Sequence, residues 1–285
     1  MCLIVFGWQT HPDYPLIVAG NRDEFYSRRT RAAAWWGQAV SLLGGRDDEA
    51  GGTWLGINRR GRIAMLTNVR GPAERNPHAP SRGLLVLNAL QSVRPLPLWL
   101  DETARRAQVY NGFNLLVAEP VGLRGLRRSA RPRMHYFSNR AEGTPQALAP
   151  GVYGLSNGLL DTPWPKLTSA VAAFACEIAR RVDVGSLFRL MANRTPARDR
   201  DLPTTGVPLE WERALSPIQI RANGYGTRAT TVVLVRRDGL VSFVERAFET
   251  ENPERHTDRR FEFMIDGAGV DARRYEESSP DDPTD

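Results

Sequence analysis

Lysine is nearly absent from this sequence. Lys166 is the single lysine among 38 basic residues, and every other one is arginine. An exchange so complete reads as compositional bias and not as a phosphate-binding face, although the formal net charge is +6. The arginines are scattered, the end EESSPDDPTD is acidic, and no recognisable binding module accompanies them, so no nucleic-acid partner is expected. Cysteine is scarce as well. Cys2 and Cys176 are the only two, too few for a disulfide framework. Cys176 lies in the helical-looking run AVAAFACEIARRV, where a free thiol is expected to act as a small core residue. His11, His78, His135 and His256 lack ligand spacing, so no metal is expected, and a Cys-x-x-Cys-His haem attachment is missing. No apolar run approaches the roughly 18 residues of a membrane span, so no stable membrane insertion is expected. The opening MCLIVFGWQT lacks a basic stretch and a small-residue cleavage site. It reads as a first strand, not a signal peptide, with a cytoplasmic location as the expectation.

What is present is ordinary for a globular protein. Hydrophobic residues make up 41% and charged residues 25% of 285 residues, enough for a sizeable core. CLIVFGW and LIVAGNRD read as strands joined by THPDYP, and WLGINRRGRIAMLTNV as a hairpin turning at Asn58 and Gly61. Ser81 is placed to cap a helix over 82–92, and Asp101 to start another over 101–110. FNLLVAE, RMHYFS and GVYGLSN read as strands. Helices are expected over 167–182, entered through Pro163 and Pro165, and over 184–193, followed by a loop over 194–210. TRATTVVLVRRDGLVSFVERAF is a hairpin turning at Asp238 and Gly239. Hairpins outnumber βαβ units, which predicts an α+β fold with largely antiparallel sheets and helices grouped outside them. One domain over 1–271 and an acidic tail over 272–285 are expected.

Several residues carry candidate chemistry. Removal of Met1 would leave Cys2 first in the chain. Its thiol is then a nucleophile, and its α-amine, with a reference pKa of about 7.7–8.0, is a base within the same residue. A cysteine simply buried in a strand is the alternative. Asn21-Arg22-Asp23-Glu24 ends an apolar strand, so Arg22 or Asp23 should face inward, as a buried pair able to orient an amine and lower a thiol pKa, or else as a surface ion pair in a turn. Asn68 and Asn157 end strands, as oxyanion donors or as turn residues. Arg228, in Tyr225-Gly226-Thr227-Arg228, opens a late strand, where it would hold a carboxylate or lie on the surface.

MCLIVFGW, AGNRDEFYSRRT, GGRDDEAGGTWLGIN, GRIAMLTNVR, YNGFNLL, YGLSNGLLDTPWPK and YGTRATTVVLV together resemble the NRDE family of transport and Golgi organisation protein 2-like sequences, over about residues 1–250. That family is in turn similar to the choloylglycine hydrolase and penicillin V acylase branch of amino-terminal nucleophile hydrolases. The resemblance implies a four-layer αββα sandwich. It implies Cys2 as nucleophile and base, Arg22 and Asp23 as its positioning groups, Asn68 (or its backbone N–H) and Asn157 as the oxyanion hole, and Arg228 in the polar shell. Two functions follow as expectations. One is hydrolysis or acyl transfer at an amide or thioester bond of a small molecule, with no cofactor required. The other is non-catalytic binding of haem, acyl-CoA or lipid in the same cleft, walled by Trp35, Trp36, Trp54 and Trp164.

Overall fold

The computed structural model describes residues 3–36, 41–71, 76–119 and 132–266. Met1, Cys2 and the acidic tail expected from 272 lie outside the described residues. The first half of the chain gives β1 (Leu3–Trp8), β2 (Leu16–Phe25), β3 (Thr30–Trp36), β4 (Leu42–Asp47), β5 (Leu55–Asn58), β6 (Ile63–Asn68), α1 (Gly83–Gln91), α2 (Leu96–Arg105) and β7 (Phe113–Glu119). The second half gives β8 (Arg133–Ser138), β9 (Gln146–Ala147), β10 (Gly151–Leu155), α3 (Pro165–Arg180), α4 (Val184–Met191), α5 (Leu209–Ala214), β11 (Arg221–Ala222), β12 (Tyr225–Val235), β13 (Leu240–Phe248) and β14 (His256–Met264).

The strands form two antiparallel sheets. One runs β10-β1-β2-β12-β13-β14, with β11 on β12, and the other runs β3 to β9 in chain order. Alternation along each strand assigns the faces. Ile4, Phe6, Leu16 and Val18 of the first sheet meet Ile57, Ile63, Met65 and Leu116 of the second in a core between the sheets. Leu3, Val5, Ile17 and Ala19 point the other way, onto Phe174 of α3 and Leu187 and Phe188 of α4. Leu66, Leu115 and Val117 pack beneath α1 and α2. Helices, sheet, sheet, helices is the αββα order that the resemblance implied. β1 and most of β2 are buried on both faces, which is why β1 is a continuous apolar run. Gly154 admits α3 at close range, since a Cβ there would lie 2.5 Å from the Val171 side chain.

The three hairpins read from sequence are those observed, with Gly61 at φ +82° in the turn between β5 and β6. Four expectations are corrected. Ser81 makes no capping bond to α1, whose N-cap is Arg82. Asp101 lies inside α2, which starts five residues earlier because Pro97 suits the first turn. Residues 194–210 do not stay a loop throughout, since α5 begins at Leu209. Cys176 is exposed on α3. The buried stripe of that helix is Leu167, Ala170, Phe174 and Ile178, and position 176 falls off it at helical spacing.

Candidate active site at the start of the first strand

Strand register brings the expected residues to one end of the sandwich. Leu3, the first described residue, pairs with Asn21 of β2, and its neighbour Ile4 pairs with Leu155 of β10. Arg22 and Asp23 therefore continue β2 past the start of β1 on one side, and Ser156 and Asn157 continue the chain past it on the other. Cys2, joined to Leu3 by one peptide bond, lies outside the described residues. β12 lies along β2, pairing Thr227 with Asp23 and Ala229 with Arg22, and Arg228 is the bulged residue between them.

Arg22 and Asp23 are both buried, but not as a pair. Consecutive strand residues face opposite ways. Arg22 shares the phase of Leu16 and Val18 and enters the space between the sheets, where its guanidinium lies 4.3 Å from the centre of the Trp54 ring. It donates to Thr30 Oγ1 at 3.2 Å, with Glu24 and Asp47 carboxylates at 3.9 and 3.8 Å. Burial lowers its pKa and these two carboxylates oppose that, leaving a guanidinium that stays charged. Asp23 turns to the helical side, where its Oδ1 accepts from Thr227 Oγ1 at 2.6 Å. Thr227 Oγ1 in turn accepts from the Ile220 N–H. Asn21 fastens α4, donating to the carbonyls of Met191 and Ile218 at 2.9 Å each. The tetrapeptide thus divides its work between two layers.

Asn157 is buried and held by three hydrogen bonds, two of them to its side-chain amide. Nδ2 donates to the Asn68 carbonyl at 2.8 Å, Oδ1 accepts from Arg70 Nη2 at 3.3 Å, and the Asn157 carbonyl accepts from the Arg70 N–H at 2.7 Å. Arg70 is set by Glu212 of α5 at 3.4 Å, and Glu212 accepts from the Thr205 N–H and Oγ1 at 2.8 and 2.6 Å. The orientation of the amide is therefore fixed, and one Nδ2 hydrogen has no acceptor among the described residues. Among the described residues Arg228 holds no carboxylate directly: its Nη1 donates to the carbonyls of Phe25, Tyr26 and Arg28 and closes the turn after β2.

Sequence profiles settle the family at this point. That of Transport and Golgi organisation 2 matches residues 1–250. The chain belongs to that family. The Transport and Golgi organization protein 2 homolog of Bos taurus is 37% identical over 285 residues, 93% of this chain and 99% of its own. The homolog of Homo sapiens is 35% identical over 285 residues with the same two coverages. Among solved structures, an N-acylethanolamine-hydrolyzing acid amidase ortholog of Caenorhabditis elegans overlaps with a TM-score of 0.48 and 12% identity, over 82% of this chain and 92% of that one.

In this Transport and Golgi organisation 2 family member the four tryptophans do not share a wall. Trp35 and Trp54 belong to the layer between the sheets, Trp36 to the α1–α2 side and Trp164 to the α3–α4 side. Among the described residues no helix is long and apolar enough to cross a membrane. One buried group had no reading in the sequence. Glu245 of β13 is cross-strand from Thr231, in a row that continues through Gly20 to Ile4. Burial pushes its carboxyl up to about 7, against the pull of Arg22 and Arg259. Its Oε1 accepts from the Ala33 N–H of the other sheet at 2.5 Å, while Arg259 donates to the Ala33 carbonyl at 3.3 Å. The signal was available: Glu245 stands in the inward phase of Val241 and Phe243.

Proposed function

We propose that this protein cleaves or transfers an acyl group at an amide or thioester carbonyl through Cys2, exposed by removal of Met1. The observation that carries the reading is the convergence of a buried guanidinium, a hydrogen-bonded Asp23–Thr227 couple and an oriented Asn157 amide on the start of β1. In the proposed reaction the Cys2 sulfur adds to the carbonyl carbon while the α-amine takes the thiol proton. The spare Nδ2 hydrogen of Asn157 meets the oxyanion. Arg22 favours the thiolate by its charge. As the tetrahedral intermediate collapses, the C–N bond breaks and the ammonium returns its proton to the leaving nitrogen. A thioester at Cys2 remains. Water, deprotonated by the same amine, adds to it, releases the acid and restores the thiol; an acceptor amine in place of water gives transfer. No cofactor enters this reaction. Cys2→Ala in a Cys176→Ser background tests the reading: turnover of p-nitrophenyl acetate should fall to near the solution rate, and a double variant as active as Cys176→Ser alone would overturn it.

A further inference from the structure

The layer between the sheets contains one polar chain that neither the fold nor the proposed reaction has used. Asn114 of β7 is fully buried and points inward in phase with Leu116 and Ala118. Its Nδ2 donates to the Gly158 carbonyl at 2.7 Å and to Thr67 Oγ1 at 3.0 Å. Its Oδ1 accepts from the Tyr136 hydroxyl of β8 at 2.8 Å, and that hydroxyl accepts from the Leu160 N–H at 3.2 Å. Each hydrogen and lone pair needed for a buried amide is thereby met within one sheet and one turn. The turn is the one that follows Asn157. It closes at Asp161, a non-glycine residue at φ +56°, whose Oδ1 accepts from the Gly154 N–H at 2.7 Å.

Packing alone does not call for this arrangement. Leucine has nearly the shape of asparagine, and an apolar layer satisfies itself without partners. What the polar chain adds is direction. It holds two main-chain groups, Gly158 C=O and Leu160 N–H, at fixed points on the second sheet, one and three residues beyond Asn157.

We propose that Asn114 and Tyr136 are positioning residues, which act through the Gly158–Leu160 turn to aim the Asn157 amide at the reacting carbonyl oxygen. This rests on the acyl-transfer reading above. Burial pushes the Tyr136 hydroxyl pKa upward, so the group keeps the proton it donates.

Two reagents for the same sulfur separate positioning from structure. Acylation by p-nitrophenyl acetate passes through an oxyanion, and alkylation by iodoacetamide does not. Rates are followed at Cys2 by peptide mass spectrometry on the folded, full-length protein. Tyr136→Phe should slow acetylation about tenfold, a fraction of the effect of deleting an oxyanion donor, with alkylation within about twofold of wild type. Thr67→Val keeps the shape, removes one acceptor of Asn114, and should give a smaller loss of the same selective kind; it also serves if Tyr136→Phe does not fold. Equal rates in wild type and both variants, or equal slowing of both reactions, would overturn the positioning role while leaving the acyl-transfer reading intact. Absence of acetylation at Cys2 in wild type would overturn both.

Discussion

The side-chain amide of Asn157 donates to the main-chain carbonyl of Asn68 at 2.8 Å, joining the end of β10 in one sheet to the end of β6 in the other. The bond spans 89 residues of sequence and lies where β1 begins. Asn157→Ala leaves the Asn68 carbonyl and Arg70 each short of a partner. The expected cost is about 1–3 kcal/mol in urea unfolding, and acetylation at Cys2 should slow about a hundredfold. Unchanged acetylation would remove Asn157 from the oxyanion site.

Glu245 should make stability depend on pH in an unusual direction. Its ordinary value is 4.5 and burial raises it to about 7, so between these the native carboxyl holds a proton that the unfolded chain releases. Stability from this group is therefore complete below pH 4.5 and declines as pH rises through 7. Glu245→Gln cannot ionise. Its stability advantage over wild type should widen by about 3 kcal/mol between pH 4.5 and about pH 8. Urea unfolding of both proteins across the range measures it, other titrations cancelling in the difference. A gap independent of pH would contradict the assignment.

Arg22 supplies charge beside the start of β1 as well as a flat surface against Trp54. Arg22→Gln removes the charge, and the pH midpoint for alkylation of Cys2 should rise by about one pH unit. Arg22→Lys keeps the charge, so its midpoint should stay near wild type while about 0.5–2 kcal/mol of stacking is lost. Identical midpoints in all three proteins would place Arg22 outside the influence of the thiol.

Cys176 is solvent-facing on α3. Cys176→Ser should alter stability by no more than about 0.5 kcal/mol, and the native thiol should be open to alkylation. A loss typical of a core position, seen in urea unfolding, would contradict this.

Much of the fold was legible because strand alternation and turn chemistry are local. The hairpins β1–β2, β5–β6 and β12–β13 each announce themselves with apolar, β-branched segments and a turn. β3 and β14 do not. The alanines of TRAAAWW are weak strand formers, and HTDRRFEFM carries the charges of an exposed edge strand; both are fixed by partners found only in three dimensions. The site was legible as residue types at strand ends. Its contacts were not, because they cross between layers: the backbone pleat separates Arg22 from Asp23, and Asn157 reaches Asn68 only when the sheets stack. Glu245 and Asn114 were readable in principle, each being a polar residue in the inward phase of an apolar strand.

The most direct measurement is mass spectrometry of the native protein after brief exposure to p-nitrophenyl acetate. The account predicts a chain that begins at Cys2, carries one acetyl group there, and loses it again to water. A chain that retains Met1, or acetyl found on Cys176 and not on Cys2, would contradict it.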